Sequence, residues 1–588
     1  MWRQHGELFA WDVFGYHLYL PAAFIENDPL LKDLQWVEEA REKWSASPDL
    51  YQLSHYPDGS RVIRYPMGQA VIWSPWFLLG HGMAMLGGQP ADGYSMPYQR
   101  AIHAGILIHL LLGILALRSV LLRRFCDRTT ACALFLLMVG TNLLDQTLNG
   151  ISMPHVLLFS LYGGILYFTV VWTNDRRLVN AVKLAILLGL AILVRPTEAV
   201  CLLLPLFWRG ENERGSFLRR IWRLRGQWSI MAVVIFLVVL PQPIYWYAAT
   251  GKPLIDPYNN PGEGLDLLAP HTWSFLFSFR KGWLLYTPLM LFAVLGIAYL
   301  RNAWNEAFIP VLSFFLLNLY LVSSWTNWWY AESFGSRAMV GSYAVMVLPL
   351  AGLLHRARGW RKLPGTGFIV LLAALVAFNF LQHAQYMRGV IHGSRMTARA
   401  YWAGFGKLQP VQGMKDLLLV DRSGPADAPP KGMAGYLPKS LSWDLLRTEP
   451  SGMDTLLLDP NGAGLRKAYL LGGPWEFSPA VRIPFGAMTT TDHIWIELTW
   501  NIMPLGRSVR GSAVAQMEHK GGCYGYFDKP LEVDSMRPGV WNQVVTYYRP
   551  PVVRSDKDLF LAFYWARDTL PILVEGPRLR VFEPERSR

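Results

Sequence analysis

The chain has 588 residues, of which 52% are hydrophobic and only 16% charged, and its formal net charge is +13 at pH 7. Soluble proteins carry nearer a quarter charged residues; here the apolar excess lies in long runs over the first two thirds, which excludes an ordinary soluble globular protein. The basic residues gather in short loops between those runs, a pattern of membrane anchoring rather than of a nucleic-acid surface.

Residues 1–66 are polar and aromatic, with no spanning run and no signal-peptide core. Residues 67–87 are apolar but interrupted by Pro75 and several glycines, and read as an interfacial or re-entrant segment. Spans are expected at 98–122, 131–146 and 153–172, with Arg123, Arg124, Arg128, Arg176, Arg177 and Lys183 on one side. The run 185–208 is broken by Arg195-Pro196, so two half-length or tilted helices are expected to meet there. An arginine-rich loop at 209–225 is followed by spans at 228–250, 283–300, 307–325, 338–355 and 367–385. The stretch 308–325 has no charged residue, and about 18 such residues suffice to cross the hydrocarbon core.

Every strongly basic loop falls on one side and every long aromatic loop on the other. By parity the first residue shares the outer side with the tail, so a first spanning helix is expected to be missing upstream. After residue 385 the composition turns richer in proline, glycine and charge. His493 to Trp500 alternates, placing Ile494, Ile496, Leu498 and Trp500 on one face of a half-buried strand, and 559–565 and 579–582 are further short strands. A C-terminal β-sandwich or jelly roll follows from this spacing. The expected organisation is an outer loop with interfacial helices (1–97), a transmembrane domain (98–385), an irregular linker (386–465) and a β-sandwich (466–588). Cys126, Cys132, Cys201 and Cys523 show no metal-ligand spacing, so neither a disulfide framework nor a metal site is expected.

Polar groups collect in the outer segments. Asp12, among Phe9, Trp11, Phe14, Tyr16 and His17, suits a general base for a hydroxyl; alternatively it caps the helix that starts nearby. His155 follows the turn 149–154 and is placed either to touch substrate or to cap. Arg195 lies within an apolar run, where an ionisable group faces a cavity or a partner; it binds an anion or pairs with Glu198. Arg280 and Lys281 break the outward shortage of positive charge, as phosphate ligands or as snorkelling anchors. Arg337 offers a planar fork matched to phosphate oxygens, and Trp328, Trp329 and Tyr330 offer ring faces for sugars or for the membrane interface.

These segments together resemble the GT-C superfamily of glycosyltransferases that use polyprenyl-phosphate sugars, the group containing protein O-mannosyltransferases and the lipid A aminoarabinose transferase. The carrying stretches are WDVFGY around Asp12, RYPMG at 64–68 including Tyr65, LVRPT at 193–197, FSFRKGWLLYTP at 277–288 and WWYAESFGSR at 328–337. The chain departs from the pattern in lacking the first helix and in having a single acid in the first outer loop, which leaves Glu332 and Asp256 as alternative bases. The resemblance implies a polytopic α-helical membrane protein with about ten spans plus the β-sandwich, set in a bacterial cytoplasmic membrane with the C-terminal domain outside. It implies sugar transfer from a polyprenyl phosphate or diphosphate to a glycan, lipid or protein acceptor, with no cofactor and no nucleic acid. Asp12 would be the base, Arg195, Arg280, Lys281 and Arg337 the donor-phosphate ligands, and Tyr16, His17, Tyr65, His155, Trp329 and Glu332 the substrate contacts. The rival readings are an oligosaccharide polymerase or ligase, and a non-catalytic translocator of lipid-linked glycans.

Overall fold

A computed structural model describes residues 8–56, 58–210, 216–422, 436–440, 447–448, 454–458, 465–491, 493–506, 510–531, 536–567 and 569–584. Arg214 and much of the expected linker lie outside the described residues. The chain divides into two compact units, Met1–Asn259 with Asp266–Ser394, and Asn260–Leu265 with Arg395–Arg588.

The first unit is helical, and the chain is a multi-pass membrane protein. Among the described residues four helices are long and apolar enough to cross a bilayer: Met96–Leu121, Pro154–Asn174, Asn305–Ser323 and Lys362–Met387. A fifth span is possible by length if Phe217–Arg223 and Arg225–Val239, bent by 73° at their junction, cross together. The expected spans at 283–300 and 338–355 appear as Met290–Ala303 and Tyr343–Ala357, of 14 and 15 residues. At 1.5 Å per residue such helices fall short of a hydrocarbon core of about 30 Å. The stretch 131–146 is not one helix either, since Asp127–Val139 stops at Gly140 and a short Leu143–Leu148 helix follows. Residues 67–87, expected to be broken, form one continuous helix, Gly68–Leu86, with Pro75 inside it.

Glycine sets how closely these helices pack. A Cβ on Gly163 would lie 2.7 Å from the carbonyl oxygen of Gly113, and one on Gly296 only 2.2 Å from that of Pro349. Small residues at such crossings let backbones touch, and in lipid that contact is the main source of helix association. The outward faces stay apolar: Leu107, Ile108, Leu111 and Leu115 on one span and Ile369, Val370 and Phe380 on another are exposed to what would be lipid. Basic connections meet at one end of the bundle, where Arg124 donates to the carbonyl of Ala303 and Arg358 to Cys126 Sγ.

The second unit holds two antiparallel sheets. One orders Gly522–Leu531, Gly511–His519, Leu559–Ala566, Val481–Pro484 and Arg447–Thr448. In the other, Trp495–Pro504 pairs with Asn542–Tyr548 along one edge and with Arg578–Pro584 and Ile572–Val574 along the other. The sheets pack face to face, with Trp500 against Tyr564 at 6.3 Å and Tyr548 against Phe560 at 5.7 Å between ring centres. Ile494, Ile496, Leu498 and Trp500 are buried as their alternation requires. The opposite face is covered too, because Trp495 packs with Val420, Tyr547 and Phe582. Strands Tyr436–Ser440 and Asp454–Leu458 join this sheet where an irregular linker was expected.

Candidate active site

Asp12 opens the helix Asp12–Phe24 after Trp11, whose positive φ of 57° turns the chain sharply into it. Its side chain turns to a hairpin. Leu53–His55 pairs antiparallel with Arg61–Ile63 in the register Leu53↔Ile63. Two residues further out, that register sets Tyr51 opposite Tyr65. Both phenols donate to Asp12 Oδ1, at 2.9 and 2.8 Å. Gly15 is what lets the hairpin close on the helix, since a Cβ there would meet Tyr65 Cδ2 at 2.6 Å and Gln52 Cβ at 2.9 Å. Burial, with Asp12 alongside, pushes both phenols above the ordinary tyrosine range, so they stay protonated donors.

Arg337 reaches the same carboxylate from the opposite end of the unit's sequence. Its Nη2 is 3.5 Å from Asp12 Oδ2, with the arginine side chain 13% and the aspartate 28% exposed. Its Nε is buried with no partner among the described residues. A guanidinium left short of an acceptor costs about 1–3 kcal/mol unless a ligand supplies one. The loop that delivers it is strained: Tyr330 and Ala331 both have φ near 51°, each costing about 1–2 kcal/mol for a non-glycine residue.

Arg195 stands where the chain breaks, between the helix Leu178–Val194 and the 3-10 turn Pro196–Leu202. It is 3.8 Å from Glu198 Oε1 and lies over the Tyr330 ring at 5.8 Å. Tyr162 donates to Glu198, so the carboxylate is shared and the arginine is not fully neutralised. His155 is buried at the start of Pro154–Asn174, with Arg195, Arg337 and Lys281 as its charged neighbours. Its ring has no hydrogen-bond partner among the described residues. The end of Leu178–Val194 and the start of Pro154–Asn174 lie at the same end of the bundle, because these helices run antiparallel through a three-residue link. Tyr16, one turn after Asp12, is buried against Tyr65 at 4.6 Å and within the field of Asp12, Arg195 and Arg337.

The remaining predicted residues are placed differently. His17 is a core histidine: its Nε2 bonds the carbonyl of Gly93 at 2.8 Å, its ring stacks on Phe9 at 3.7 Å, and burial pushes it down to about 3. It follows Tyr16 by one residue, and a helix sends successive side chains to different faces. Lys281 is neither a snorkelling anchor nor open to a donor. It is buried, and its ammonium is 2.6 Å from the carbonyl of Ser333 and 2.5 Å from its hydroxyl. Arg280 lies flat over Trp329 at 3.4 Å and donates to the carbonyl of Ser394; Trp329 is thereby a platform for arginine. Glu332 is 63% exposed, 3.8 Å from His392 and 3.2 Å from Ser394 Oγ. Asp256 shapes a turn, accepting from the backbone of Tyr258.

Sequence reasoning passed over Tyr51; the turn residues Asp58 and Gly59 with equal spacing to Tyr51 and Tyr65 were the available signal. It also passed over a pair near the Arg337 loop, buried Asp145 with half-buried His383 at 3.0 Å, whose partners lie too far apart in sequence to signal each other. Among the described residues no three His, Cys, Asp or Glu side chains form a metal-holding group. The converging groups are thus the Asp12 carboxylate, two arginines of which Arg195 is paired with Glu198, one imidazole without a partner among the described residues, and a ring of tyrosines. Chemically they can take a proton and hold an anion within a few ångströms of each other.

No family model matches the chain, and no curated protein matches it. Among solved structures it is similar to the arabinosyltransferase EmbB from Mycobacterium smegmatis, seen by single-particle cryo-EM, at 11% identity and a TM-score of 0.28. That match covers 90% of this chain and 61% of the other, so the chain spans about three fifths of that protein's length.

Proposed function

We propose that the chain is a membrane glycosyltransferase moving a sugar from a polyprenyl phosphate or diphosphate to an acceptor hydroxyl at the outer face of a bacterial cytoplasmic membrane. The observation that supports this reading is the approach of Arg337 to Asp12 at 3.5 Å, with Arg195 and His155 in the same neighbourhood. A base and an anion site side by side are what a displacement at an anomeric carbon requires. Asp12 takes the acceptor proton as the acceptor oxygen bonds to that carbon. The carbon–oxygen bond to phosphate breaks, and its electron pair leaves on the phosphate. Arg337 and Arg195 hold that developing charge, and the His155 ring is free to bond a sugar hydroxyl. Arg280 and Trp329 shape the loop beside the donor, and the second unit stands on the outer side.

The test is transfer in proteoliposomes from a panel of short-chain polyprenyl-phosphate pentoses and hexoses, read by mass spectrometry of the acceptor. Asp12→Asn and Arg337→Ala are each expected to lower transfer by about 100-fold or more while the protein still inserts and elutes as a single species. Full transfer by both variants defeats the assignment.

A further inference from the structure

The two tyrosines do not share Asp12 evenly. Tyr51 and Tyr65 both donate to Oδ1, at 2.9 and 2.8 Å, while among the described residues Oδ2 meets only Arg337 Nη2, at 3.5 Å. A carboxylate oxygen accepts about two hydrogen bonds in good directions, so Oδ1 is filled and Oδ2 is not. At 3.5 Å the arginine contact is electrostatic rather than a well-formed hydrogen bond.

We infer that Tyr51 and Tyr65 are positioning residues that fix the Asp12 carboxylate and leave Oδ2 as the one oxygen that takes the acceptor proton. The inference rests on the reading of Asp12 as the base. The tyrosines are themselves held: the short ladder from Leu53 to Ile63 sets them opposite each other, Arg64 N–H bonds the carbonyl of Gln52 at 2.9 Å, and Tyr65 packs on Tyr16. A carboxylate gripped through one oxygen by two phenols on a closed hairpin cannot turn its plane without breaking both bonds. The acceptor hydroxyl then has one approach, on the side where Arg337 stands. The groups facing Asp12 are Tyr51 and Tyr65 from the hairpin and Arg337 from the loop, with Tyr16 on its own helix and Arg195 behind it. In the step itself the proton passes from acceptor oxygen to Oδ2, the new bond forms at the anomeric carbon, and the phosphate leaves with the electron pair of the bond that breaks. Asp12 afterwards returns its proton to water.

Hydrogen bonds donated to a carboxylate stabilise its ionised form. Removing a phenol therefore takes away part of that stabilisation. Activity needs the ionised form and is lost as pH falls, so the acid limb of kcat/KM moves upward. The experiment measures that limb in proteoliposomes, with the donor panel above, for Tyr51→Phe, Tyr65→Phe and the pair. The limb is expected to move upward in each single variant and further in the pair, with a rate deficit that is large at low pH and shrinks as pH rises. An unmoved limb, or a deficit equal at every pH as a merely structural defect would give, overturns the inference. If the unsubstituted chain transfers no sugar, or transfers it equally well as Asp12→Asn, the proposed function itself falls. Transfer that depends on Asp12 with an unmoved limb sinks only the positioning role.

Discussion

Lys281 and Arg280 are adjacent basic residues, yet their head groups end in different surroundings. Arginine's flat, weakly hydrated guanidinium tolerates a tryptophan face, and Arg280 spreads over Trp329. The compact head group of Lys281 is instead enclosed, with Ser333 alone among the described residues to accept from it. Burial, with Arg337 nearby, holds its pKa well below the usual 10.5. Above pH 10.5 the lysine is neutral folded or unfolded and burial costs nothing. As pH falls below that value the unfolded chain binds a proton that the folded chain does not, and stability drops by about 1.4 kcal/mol per pH unit until the lowered folded value is reached. Lys281→Met is expected to lack this dependence. Thermal unfolding in detergent from pH 7 to 10.5 checks it: the unsubstituted chain should gain stability on the variant as pH rises, and parallel curves contradict the burial of a charged-when-unfolded group. The same contrast separates the two histidines. His17 has a backbone acceptor and an aromatic stack; among the described residues the His155 ring has neither, and it lies near Arg195 and Arg337.

At the scale of elements, the site depends on where helices stop. Pro196 cannot continue the Leu178–Val194 ladder, and the break presents Arg195 in extended backbone, at φ −154° and ψ 117°. Gly68, the first residue of Gly68–Leu86, touches that break: a Cβ on it would lie 2.2 Å from Val194 N and 2.3 Å from Leu193 C. Backbone atoms cannot yield as a flexible side chain can. Gly68→Ala is therefore expected to displace Arg195, lowering transfer about tenfold or more and stability by about 1–3 kcal/mol. Gly296→Ala, at the crossing with Pro349 and away from the site, is expected to cost similar stability and spare catalysis more. Melting temperature and transfer rate measured on both variants separate the effects, and equal activity loss in the two would argue against a local role for Gly68.

For the whole molecule, the proposed orientation puts the basic connections inside and the β-sandwich outside. Native cysteines report on it. Cys126, exposed in a basic connection, has its thiol pulled down by its bond to Thr129 and the nearby Arg358, which favours the reactive thiolate. Cys523 is exposed in the sandwich, with a thiol that partial burial pushes up. An impermeant maleimide applied to intact cells is expected to modify Cys523, slowly, and to reach Cys126 only after permeabilisation. Peptide mass analysis reads both, and modification of both from one side refutes the orientation.

Membrane residence, the basic rim, the break at Arg195-Pro196 and the alternating strand at 494–500 were all legible in the amino-acid order. Each follows from composition or from a period of a few residues, and water and lipid enforce such patterns locally. Span lengths were not: the long helices of the runs 283–300 and 338–355 begin only at Met290 and Tyr343, because tertiary context overrides local preference in deciding where a helix starts and stops. Nor were the partners of the candidate base. Tyr51 and Arg337 meet Asp12 only once the hairpin and the loop after Asn305–Ser323 have closed on the first helix, and contacts across that much chain leave no mark on local sequence. The charge on Lys281 was legible; its enclosure was a decision of packing.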